Sequence, residues 1–179
     1  MYQTSRTLGL ISADLFREKL FQIGFIIKAT LIILLLPISQ QEWFLPFIVS
    51  WIEKPMSLPW TGYLSSGGDP LSFPYGLVMF IVHLPTTFIG LIVDNLLNLE
   101  YFAGIGFRLS LLIADVFLLL LLLQMYEKFW KKILVYYWLS PIVIFITYWY
   151  GVSDIVPVAL FVYSLSNIKQ GNYWLAGII

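Results

Sequence analysis

The stretch SSGGDPLSFPYG, residues 65–76, separates two strongly apolar parts of the chain and decides how they can fold. Its two adjacent glycines permit positive φ, and its two prolines fix φ and prevent a helix from continuing, so the stretch predicts an ordered loop. A loop of this kind cannot cross a bilayer exposed to lipid, because its backbone polar groups would have no partners there. The loop carries one carboxylate, Asp69, and therefore predicts an acid at a membrane surface.

The composition predicts that lipid is the solvent of this protein. Hydrophobic residues make up 60% of the 179 residues, charged residues make up 11%, and the mean hydropathy is +0.87. Soluble domains contain about 25% charged residues, so we expect an integral membrane protein. Ten basic and ten acidic side chains give a formal charge of zero, which argues against a partner nucleic acid. The chain has no cysteine and one histidine, which excludes disulfides and most zinc sites.

Apolar blocks on both sides of the loop predict membrane-spanning helices. Residues 21–38 form the first predicted span, and residues 107–125 and 133–150 form two more. Between them, the external segment 40–74 carries an aromatic stripe, residues 43–51, that predicts a helix lying at the membrane interface. The predicted fold class is all-α, a polytopic transmembrane bundle with interfacial helices in a long first external loop. We treat residues 1–179 as a single membrane domain.

The final apolar run, residues 173–179, predicts a helix that reaches only about 10 Å, a third of the hydrocarbon core. A helix that stops inside lipid leaves backbone carbonyls without partners. We therefore expect the chain to be the N-terminal module of a longer protein or to associate with a second membrane subunit.

Basic residues set the expected orientation. Three basic side chains precede the first span, which predicts a cytoplasmic N-terminus in a multi-pass protein of the plasma (inner) membrane. The lysine-rich segment 128–132 should also be cytoplasmic, whereas Asp69 should lie outside. These placements need an odd number of crossings, yet two apolar blocks intervene. We expect residues 75–106 to form a broken or re-entrant hairpin that bends at Pro85; the alternative is two ordinary crossings.

Ionisable side chains also occur inside the apolar blocks. Arg108 and Asp115 are seven residues apart, so they share one helical face at a separation of about 10 Å. Intramembrane charges mark either a functional polar interior or a structural ion pair, and Lys28 is the available partner for Asp115. His83 is interpreted as a hydrogen-bonded residue at a helix break rather than as a metal ligand.

Several short motifs carry a family resemblance. They are FPYG at residues 73–76, an arginine followed seven residues later by an aspartate at 108 and 115, SPIVIFITYWYGVSD at 140–154, and AGII at 176–179. Together with the first helix and the aromatic external loop, they resemble the N-terminal part of the GT-C superfamily of membrane glycosyltransferases, and within it the polyprenyl-phosphate-sugar-dependent, mannosyltransferase-like group. The resemblance extends from residue 21 to the end. The external loop departs from that pattern because it lacks an Asp-x-Asp or Asp-Glu pair.

The resemblance implies transfer of a sugar from a polyprenyl-phosphate donor in the membrane lipid to an acceptor hydroxyl at the outer face. Such a reaction needs a carboxylate as general base, and Asp69 is the first candidate, with Glu53 in reserve. The departing phosphate needs a cation, which leaves a divalent metal such as Mg²⁺ or Mn²⁺ open as a cofactor with no ligands assigned. The residues assigned to substrate binding are Asp154, Arg108, Lys54 and Tyr75.

Each assignment has a structural alternative. Asp69 could cap its own turn, Glu53 could be a solvated helix end, and Asp154 could be the N-cap of the next helix. Two other function classes also remain open: a lipid or solute transporter, and a non-catalytic membrane assembly subunit. An enzyme of this kind needs an acid on the external loop, a transporter needs one at mid-membrane depth, and an assembly subunit needs neither.

Overall fold

The computed structural model describes residues 14–55 and 58–177, and this part of the chain forms helices and no strands. The all-α class is therefore confirmed. The α-helices of four or more residues are α1 (Lys19–Leu34), α2 (Leu45–Glu53), α3 (Pro59–Ser65), α4 (Leu77–Leu97), α5 (Phe102–Met125), α6 (Trp130–Ile133), α7 (Pro141–Ile144), α8 (Ile155–Lys169) and α9 (Tyr173–Gly177). Three π-helical turns, Gln40–Phe44, Leu134–Trp138 and Phe145–Tyr150, and one 3₁₀ turn, Glu127–Phe129, connect them. The last two residues of the predicted final helix lie outside the described residues.

Among the described residues, two helices are long and apolar enough to cross a membrane. The most apolar windows of α4 and α5 have mean hydropathies of 1.9 and 2.3. A third span is present if the segments Glu127–Trp138 and Pro141–Tyr150, which meet at an angle of 45°, are counted as one. Many large apolar side chains, such as Leu34 and Leu96, are exposed to solvent in the isolated chain. Such a surface indicates a membrane protein.

Helices α4 and α5 form a closely packed antiparallel hairpin. A Cβ atom added at Gly90 would lie 2.1 Å from the carbonyl oxygen of Phe102, and one added at Gly106 would lie 2.1 Å from that of Thr86. The two glycines therefore allow the backbones to approach each other, as small residues commonly do between membrane helices.

The turn of this hairpin is held by Asp94. Its Oδ1 accepts hydrogen bonds from the backbone N–H groups of Tyr101 and Phe102, both at 2.8 Å, and its Oδ2 accepts one from Ala103 at 2.7 Å. These bonds satisfy N–H groups that the first turn of α5 leaves unpaired. Residues 98–101 are thus a capped turn between two long helices.

The expected break at Pro85 is wrong. Helix α4 is continuous from Leu77 to Leu97 with Pro85 inside it. The hydroxyl of Thr87 donates a 2.7 Å hydrogen bond to the carbonyl oxygen of His83 in the same turn. Membrane helices tolerate proline where nearby hydroxyls and packing against other helices satisfy the backbone, so the hairpin needs no re-entrant bend.

The other predicted spans also differ from the observed helices. Helix α1 ends at Leu34, three residues before Pro37, and has 16 residues. The predicted span 133–150 is broken at Ser140, because Pro141 occupies the first position of a new helix and cannot donate to the preceding turn.

The aromatic stripe of α2 packs against other helices and does not face a membrane surface, so the predicted interfacial helix is not observed. Phe47 and Ile48 are buried, and the Phe47 ring stacks on Phe73 with centroids 4.8 Å apart. The Trp51 ring packs edge-on against Phe80 at 5.2 Å. The stripe therefore faces the helical core, and of its residues Trp43 is 45% exposed.

The two basic regions of the sequence lie at the same end of the structure. Leu15 and Phe21, which flank the basic residues before α1, share a hydrophobic cluster with Leu123 and Leu134, which flank the lysine-rich segment 128–132. The placement of both regions on one side of a membrane remains a prediction.

Candidate functional site

Two residues assigned to substrate binding, Tyr75 and Asp154, are close enough in the fold for the Asp154 carboxylate to act electrostatically on the Tyr75 phenol, although 78 residues separate them in the sequence. Tyr75 is half-buried in the loop before α4, and Asp154 is exposed immediately before α8. Burial, followed by the nearby Asp154 carboxylate, raises the pKa of the Tyr75 phenol above its ordinary value of 10.0. Both effects disfavour a phenolate, so the phenol is held as a neutral hydrogen-bond donor.

Two buried polar side chains complete this site. Gln40 is fully buried; its Nε2 donates to the carbonyl oxygen of Gly151 at 2.9 Å, whereas its Oε1 has no partner among the described residues. Ser153 is also fully buried and adjoins the phenol of Tyr75, but its Oγ makes no hydrogen bond of ordinary geometry within the described ranges. We call Gln40, Tyr75, Ser153 and Asp154 the Tyr75–Asp154 site.

Gly151 sets the backbone path through this site. Its φ of +90° lies in the left-handed region, which favours glycine. A Cβ atom there would also lie 2.7 Å from the Cβ of Pro37 and 3.1 Å from the side-chain amide carbon of Gln40. The turn after the Phe145–Tyr150 segment therefore packs directly on the segment that follows α1, which brings Gln40 and Ser153 to one place.

The polar groups of the site are of the kind that bind a polar ligand. Leaving a buried polar group without a hydrogen bond costs about 1–3 kcal/mol, so two such oxygens in one site favour a bound partner. The site offers a carbonyl acceptor, a hydroxyl, a phenolic donor and a carboxylate, which together match a polyhydroxylated molecule.

A divalent cation fits this donor set only with help from a substrate. The oxygens of Gln40, Ser153 and Asp154 are the ligand type that Mg²⁺ prefers, and Mg²⁺ is commonly held by one or two carboxylates plus substrate phosphates. Within residues 14–55 and 58–177, no group of three or more His, Asp or Glu side chains could hold a metal ion. A metal would therefore depend on Asp154 and on a phosphate of the ligand.

The sequence left open that Asp154 caps a helix and that Asp69 caps its own turn, and the structure supports only the second of these roles. Asp154 occupies the N-cap position of α8, but its side chain makes no capping hydrogen bond. Asp69 does stabilise its own turn, because its Oδ1 accepts a 2.8 Å hydrogen bond from the backbone N–H of Leu71. Its Oδ2 bonds to none of the described residues. Both aspartates are exposed, so each keeps a carboxylate oxygen available for a ligand.

The loop that carries Asp69 is fixed to the site through its second half. The Phe73 ring stacks on Phe47, and the hydroxyls of Ser72 and Tyr63 are 3.1 Å apart. Tyr75 packs edge-on against Phe44 at 5.4 Å. Six residues span at most about 20 Å, so Asp69 lies within that distance of Tyr75 along the backbone, although no hydrogen bond or ion pair joins it to the site.

Glu53 and Lys54 lie in a different part of the structure. They are at the C-terminal end of α2, where both line a small cleft of about 70 Å³ with Tyr63 and Ser66. Glu53 also lines a wider cleft of about 520 Å³ beside the α4–α5 turn. The structure therefore does not bring these two residues to the Tyr75–Asp154 site.

Arg108 is also separate from that site. Its Nη1 donates to the carbonyl oxygens of Leu31 at 2.8 Å and Ile32 at 3.0 Å, and its Nη2 donates to that of Tyr148. The guanidinium thus joins the end of α1 to the Phe145–Tyr150 turn, from which the chain continues to Gly151. Its assignment to substrate binding remains a prediction.

A second polar cluster lies deeper among the helices. Lys28 and Asp115 form a fully buried ion pair with Nζ and Oδ2 2.7 Å apart. The hydroxyls of Tyr137 and Tyr148 donate to the two oxygens of Asp115, each at 2.6 Å, and the Lys28 ammonium lies 3.5 Å from the centroid of the Trp138 ring. We call these five residues the Lys28–Asp115 cluster. The structural ion pair expected between Lys28 and Asp115 is confirmed.

Sequence reasoning missed the aromatic part of this cluster. Tyr137 and Trp138 come from one π-helical turn, and Tyr148 comes from another. The available signal was a pair of aromatic runs, residues 136–138 and 148–150, within a predicted span. Periodicity could not identify the faces of these residues, because a π-helical turn rotates side chains away from the α-helical positions.

His83 is hydrogen-bonded, as expected. The Ser110 hydroxyl donates to the carbonyl oxygen of Phe107 at 2.6 Å, so the Nδ1–H of His83 donates to Ser110 Oγ. The imidazole also stacks on the Phe107 ring with centroids 4.2 Å apart. These contacts fix His83 between α4 and α5.

Comparisons with known proteins assign no family to this chain. No family model matches it, and neither a curated protein nor a solved structure does. The GT-C resemblance rests on the short motifs alone, and the candidate function comes from the geometry of the Tyr75–Asp154 site.

Proposed function

We propose that this protein is a membrane glycosyltransferase that moves a sugar from a polyprenyl-phosphate donor to an acceptor hydroxyl. One observation carries the proposal. Tyr75 and Asp154 are close to each other, and the same site contains two buried oxygens, Gln40 Oε1 and Ser153 Oγ, that have no hydrogen-bond partner among the described residues. One carboxylate, one neutral phenol and two further polar groups form a set that can bind several sugar hydroxyls at once. Apolar helices begin directly beyond both residues, so a lipid-linked sugar can reach the set from the bilayer.

Asp69 is the general base in this proposal. It is exposed on the loop that leads to Tyr75, and its Oδ2 is available to take a proton. As the acceptor oxygen attacks the anomeric carbon, its proton passes to the carboxylate, and the bond between that carbon and the phosphate oxygen breaks. The electron pair of the broken bond leaves with the phosphate.

Asp154 supports the same reaction without taking the proton. It orients the sugar together with Tyr75, and it would hold a divalent cation such as Mg²⁺ or Mn²⁺ if a donor phosphate supplied further ligands. Such a cation would neutralise the charge that develops on the departing phosphate. Among the described basic residues, Arg108 cannot take this role in the observed arrangement because its guanidinium donates to three backbone carbonyls.

Sugar transfer in membranes tests the proposal. Membranes that contain the protein are given polyprenyl-phosphate-[¹⁴C]mannose or the glucose equivalent, and label transferred to endogenous acceptors is measured. Removing a general base typically lowers the rate by about 10²–10⁴-fold, which is the loss expected for Asp69→Asn. Asp154→Asn should also abolish transfer. Glu127→Gln, an exposed acid after α5, is the matched control and should keep full activity.

The outcomes separate the two roles. Loss of activity in Asp154→Asn together with full activity in Asp69→Asn would show that Asp154, and not Asp69, is the general base. Full activity in both variants would overturn the proposed site.

The proposed orientation has a multi-pass chain in the plasma (inner) membrane, with the N-terminus and residues 128–132 in the cytoplasm. Two observations support it: the basic regions lie at one end, and positively charged segments favour the cytoplasmic side. A continuous α4 and α5 cross the membrane twice, so Ser66 should lie on the same side as Glu127, and the outer placement of Asp69 expected from the sequence does not hold in this topology. Because the chain has no cysteine, the single variants Asn98→Cys and Glu127→Cys, which flank α5, can be labelled from either side of sealed vesicles. We expect labelling from opposite sides, and labelling from the same side would contradict this topology.

A transporter is the second candidate, because the Lys28–Asp115 ion pair is buried among apolar helices. Every charged group of that pair has its partners, however, which favours a structural role. Flux of a proton or solute that depends on Asp115 in folded protein would favour transport over sugar transfer.

A further inference from the structure

The segment that follows α5, YEKFWKK at residues 126–132, interleaves aromatic and basic side chains. Helix α5 ends at Met125, so the segment begins where the more apolar of the two spanning helices ends. Its three lysines are exposed, and its Tyr126 and Phe129 side chains are 45% and 53% exposed. Aromatic rings and cations at the end of a membrane-spanning helix are typical of the headgroup level of a bilayer.

The fold adds a fourth lysine from a distant part of the chain. Helix α8 packs along α5, and Lys169 lies in its last turn. The Nζ of Lys169 is 4.9 Å from the centroid of the Tyr126 ring, so the ends of the two helices lie at the same level. We call these residues the lysine surface: Tyr126, Lys128, Phe129, Lys131, Lys132 and Lys169.

The lysines of this surface contact aromatic rings and not carboxylates. The Nζ of Lys131 lies 5.3 Å from the centroid of the Trp130 ring, and that of Lys132 lies 5.6 Å from the centroid of the Phe129 ring. Within the described ranges, none of the four lysines forms an ion pair. A ring attracts a cation without taking up its N–H groups, so these ammonium groups can still bind an anion.

The lysine surface carries an excess of positive charge. Residues 126–132 and 166–172 together contain four lysines and one acid, Glu127, which gives a net charge of +3. Residues 14–19 lie at the same end of the structure, but they contain two acids and two bases and add no net charge.

The other end of α5 has the opposite character. The cleft beside the α4–α5 turn is lined by the acids Glu53, Asp94 and Glu100, and its lining in the described part of the chain includes no basic side chain. The attraction of an anionic partner is therefore expected at one end of α5 and not at the other.

We propose that the lysine surface binds the headgroups of anionic phospholipids such as phosphatidylglycerol. Lysines on flexible stems suit phosphates that move within a bilayer, whereas the rigid fork of an arginine suits a fixed anion, and this surface contains no arginine. The exposed rings favour lipid over an acidic protein segment, because a bilayer surface is apolar on one side and wet on the other.

This surface is separate from the Tyr75–Asp154 site. Asp154 precedes the opposite end of α8, and the 15 residues of that helix extend over about 22 Å. The lipid contact is therefore additional to the proposed sugar transfer and does not depend on it.

Site-directed fluorescence quenching in vesicles tests the proposal on the full chain. Because the chain has no cysteine, a fluorophore can be attached at Gln170→Cys, beside Lys169, and quenched by phosphatidylglycerol or phosphatidylcholine with a nitroxide near the headgroup. Each lysine near an anionic membrane surface strengthens the attraction by about fivefold, so phosphatidylglycerol should reach half-maximal quenching at a mole fraction lower by about that factor or more. The same fluorophore at Asn98→Cys, in the α4–α5 turn, is the matched control and should show no preference.

Charge variants identify the groups responsible. Combining Lys131→Gln, Lys132→Gln and Lys169→Gln should abolish the preference, whereas the three corresponding arginine substitutions keep the charge and should retain it. Glu127→Gln removes the acid of the segment and should increase the preference by up to about fivefold. In 1 M salt the Debye length falls to about 3 Å, which should remove the preference of the wild type. A thermal unfolding curve shows whether each variant is folded.

Three results would overturn the proposal. Equal quenching by the two lipids at Gln170→Cys would leave an acidic protein segment as the better partner for this surface. A preference of the same size at Asn98→Cys would show that the selectivity does not come from the lysine surface. A preference that survives in the variant with three glutamines would exclude the lysines as its cause.

Discussion

The Lys28–Asp115 cluster and the Tyr75–Asp154 site are both polar regions in an apolar chain, but they differ in how well their groups are paired. In the first, Asp115 accepts hydrogen bonds from an ammonium and two phenols. In the second, Gln40 Oε1 and Ser153 Oγ have no partner in the described part of the chain, and the Asp154 side chain does not cap its helix. A charge inside an apolar helix is therefore not by itself a sign of a reactive site.

The difference has a physical basis. A buried charge is costly unless it is paired and hydrogen-bonded, so a fully paired cluster stabilises one arrangement of helices and has no capacity left for a ligand. Unpaired buried oxygens lower the stability of the folded protein, and a ligand that bonds to them can restore it. The comparison predicts that variants of the cluster change stability and variants of the site change function.

The largest expected effect is at Asp115. Asp115→Leu leaves the Lys28 ammonium buried without its counter-ion, which should lower the free energy of unfolding by about 3–5 kcal/mol. Chemical denaturation in detergent measures the loss. The double variant Lys28→Met with Asp115→Leu removes both charges and should recover much of it. A double variant no more stable than Asp115→Leu would show that the ion pair is not the main contribution.

Asp94 extends the comparison to a third carboxylate. Asp94→Ala leaves three N–H groups at the start of α5 without their acceptor, and the loss should be about 1–3 kcal/mol of unfolding free energy. Asp154→Ala is the matched control, since that side chain makes no capping bond, and its denaturation midpoint should stay at the wild-type value. Equal losses in the two variants would contradict the distinction between paired and unpaired carboxylates.

The variant Ser153→Ala should raise the free energy of unfolding, whereas the variants of Asp115 and Asp94 lower it. Ser153→Ala removes a buried hydroxyl that has no hydrogen bond, so the variant should be about 0.5–1 kcal/mol more stable than wild type while sugar transfer falls. Ser50→Ala serves as the control, because the Ser50 hydroxyl is bonded to the carbonyl oxygen of Phe47 at 2.8 Å. Thermal unfolding and transfer are measured on the same membranes. A destabilised Ser153→Ala variant would mean that its hydroxyl is paired after all.

The smallest expected effect is the titration of Tyr75. The pKa of its phenol is raised in the folded protein, so the contribution of this group to stability is fully present below pH 10.0 and is lost as the pH rises through the raised value. The ultraviolet difference between wild type and Tyr75→Phe isolates this phenol from the other tyrosines. Asp154→Asn removes the neighbouring charge and should move the titration to lower pH. If the phenol of Tyr75 titrated at the same pH in Asp154→Asn, Asp154 would be too far from the phenol to act on it.

The sequence predicted those features that depend on local composition. Low charge and high hydropathy indicated a membrane protein, the glycines and prolines around Asp69 indicated a loop, and the apolar run that includes Asp115 indicated a long helix. Lys28 and Asp115 were also identified as possible partners, because few side chains inside the apolar blocks could pair. Each of these inferences needs only the residues within one segment.

Several local predictions were overruled by packing. Pro85 was expected to break its helix, but contacts between α4 and α5 and the neighbouring threonine hydroxyls keep the helix continuous. The aromatic stripe around Phe47 was expected to face the bilayer surface, but it is covered by Phe73 and Phe80. Periodicity identifies an apolar face and does not identify what covers it.

By itself, then, the sequence determined that the chain is helical and suited to lipid, where its loop lies, and which acids and bases it can place inside apolar segments. Only the tertiary structure decided which of those groups are paired. It joined Tyr75 to Asp154, left Gln40 and Ser153 with unpaired oxygens, and surrounded Asp115 with donors from three segments. The reason is that hydrogen-bond satisfaction and electrostatic contact depend on distances between atoms far apart in the chain, and these distances are fixed by how helices pack and not by the order of residues within any one of them.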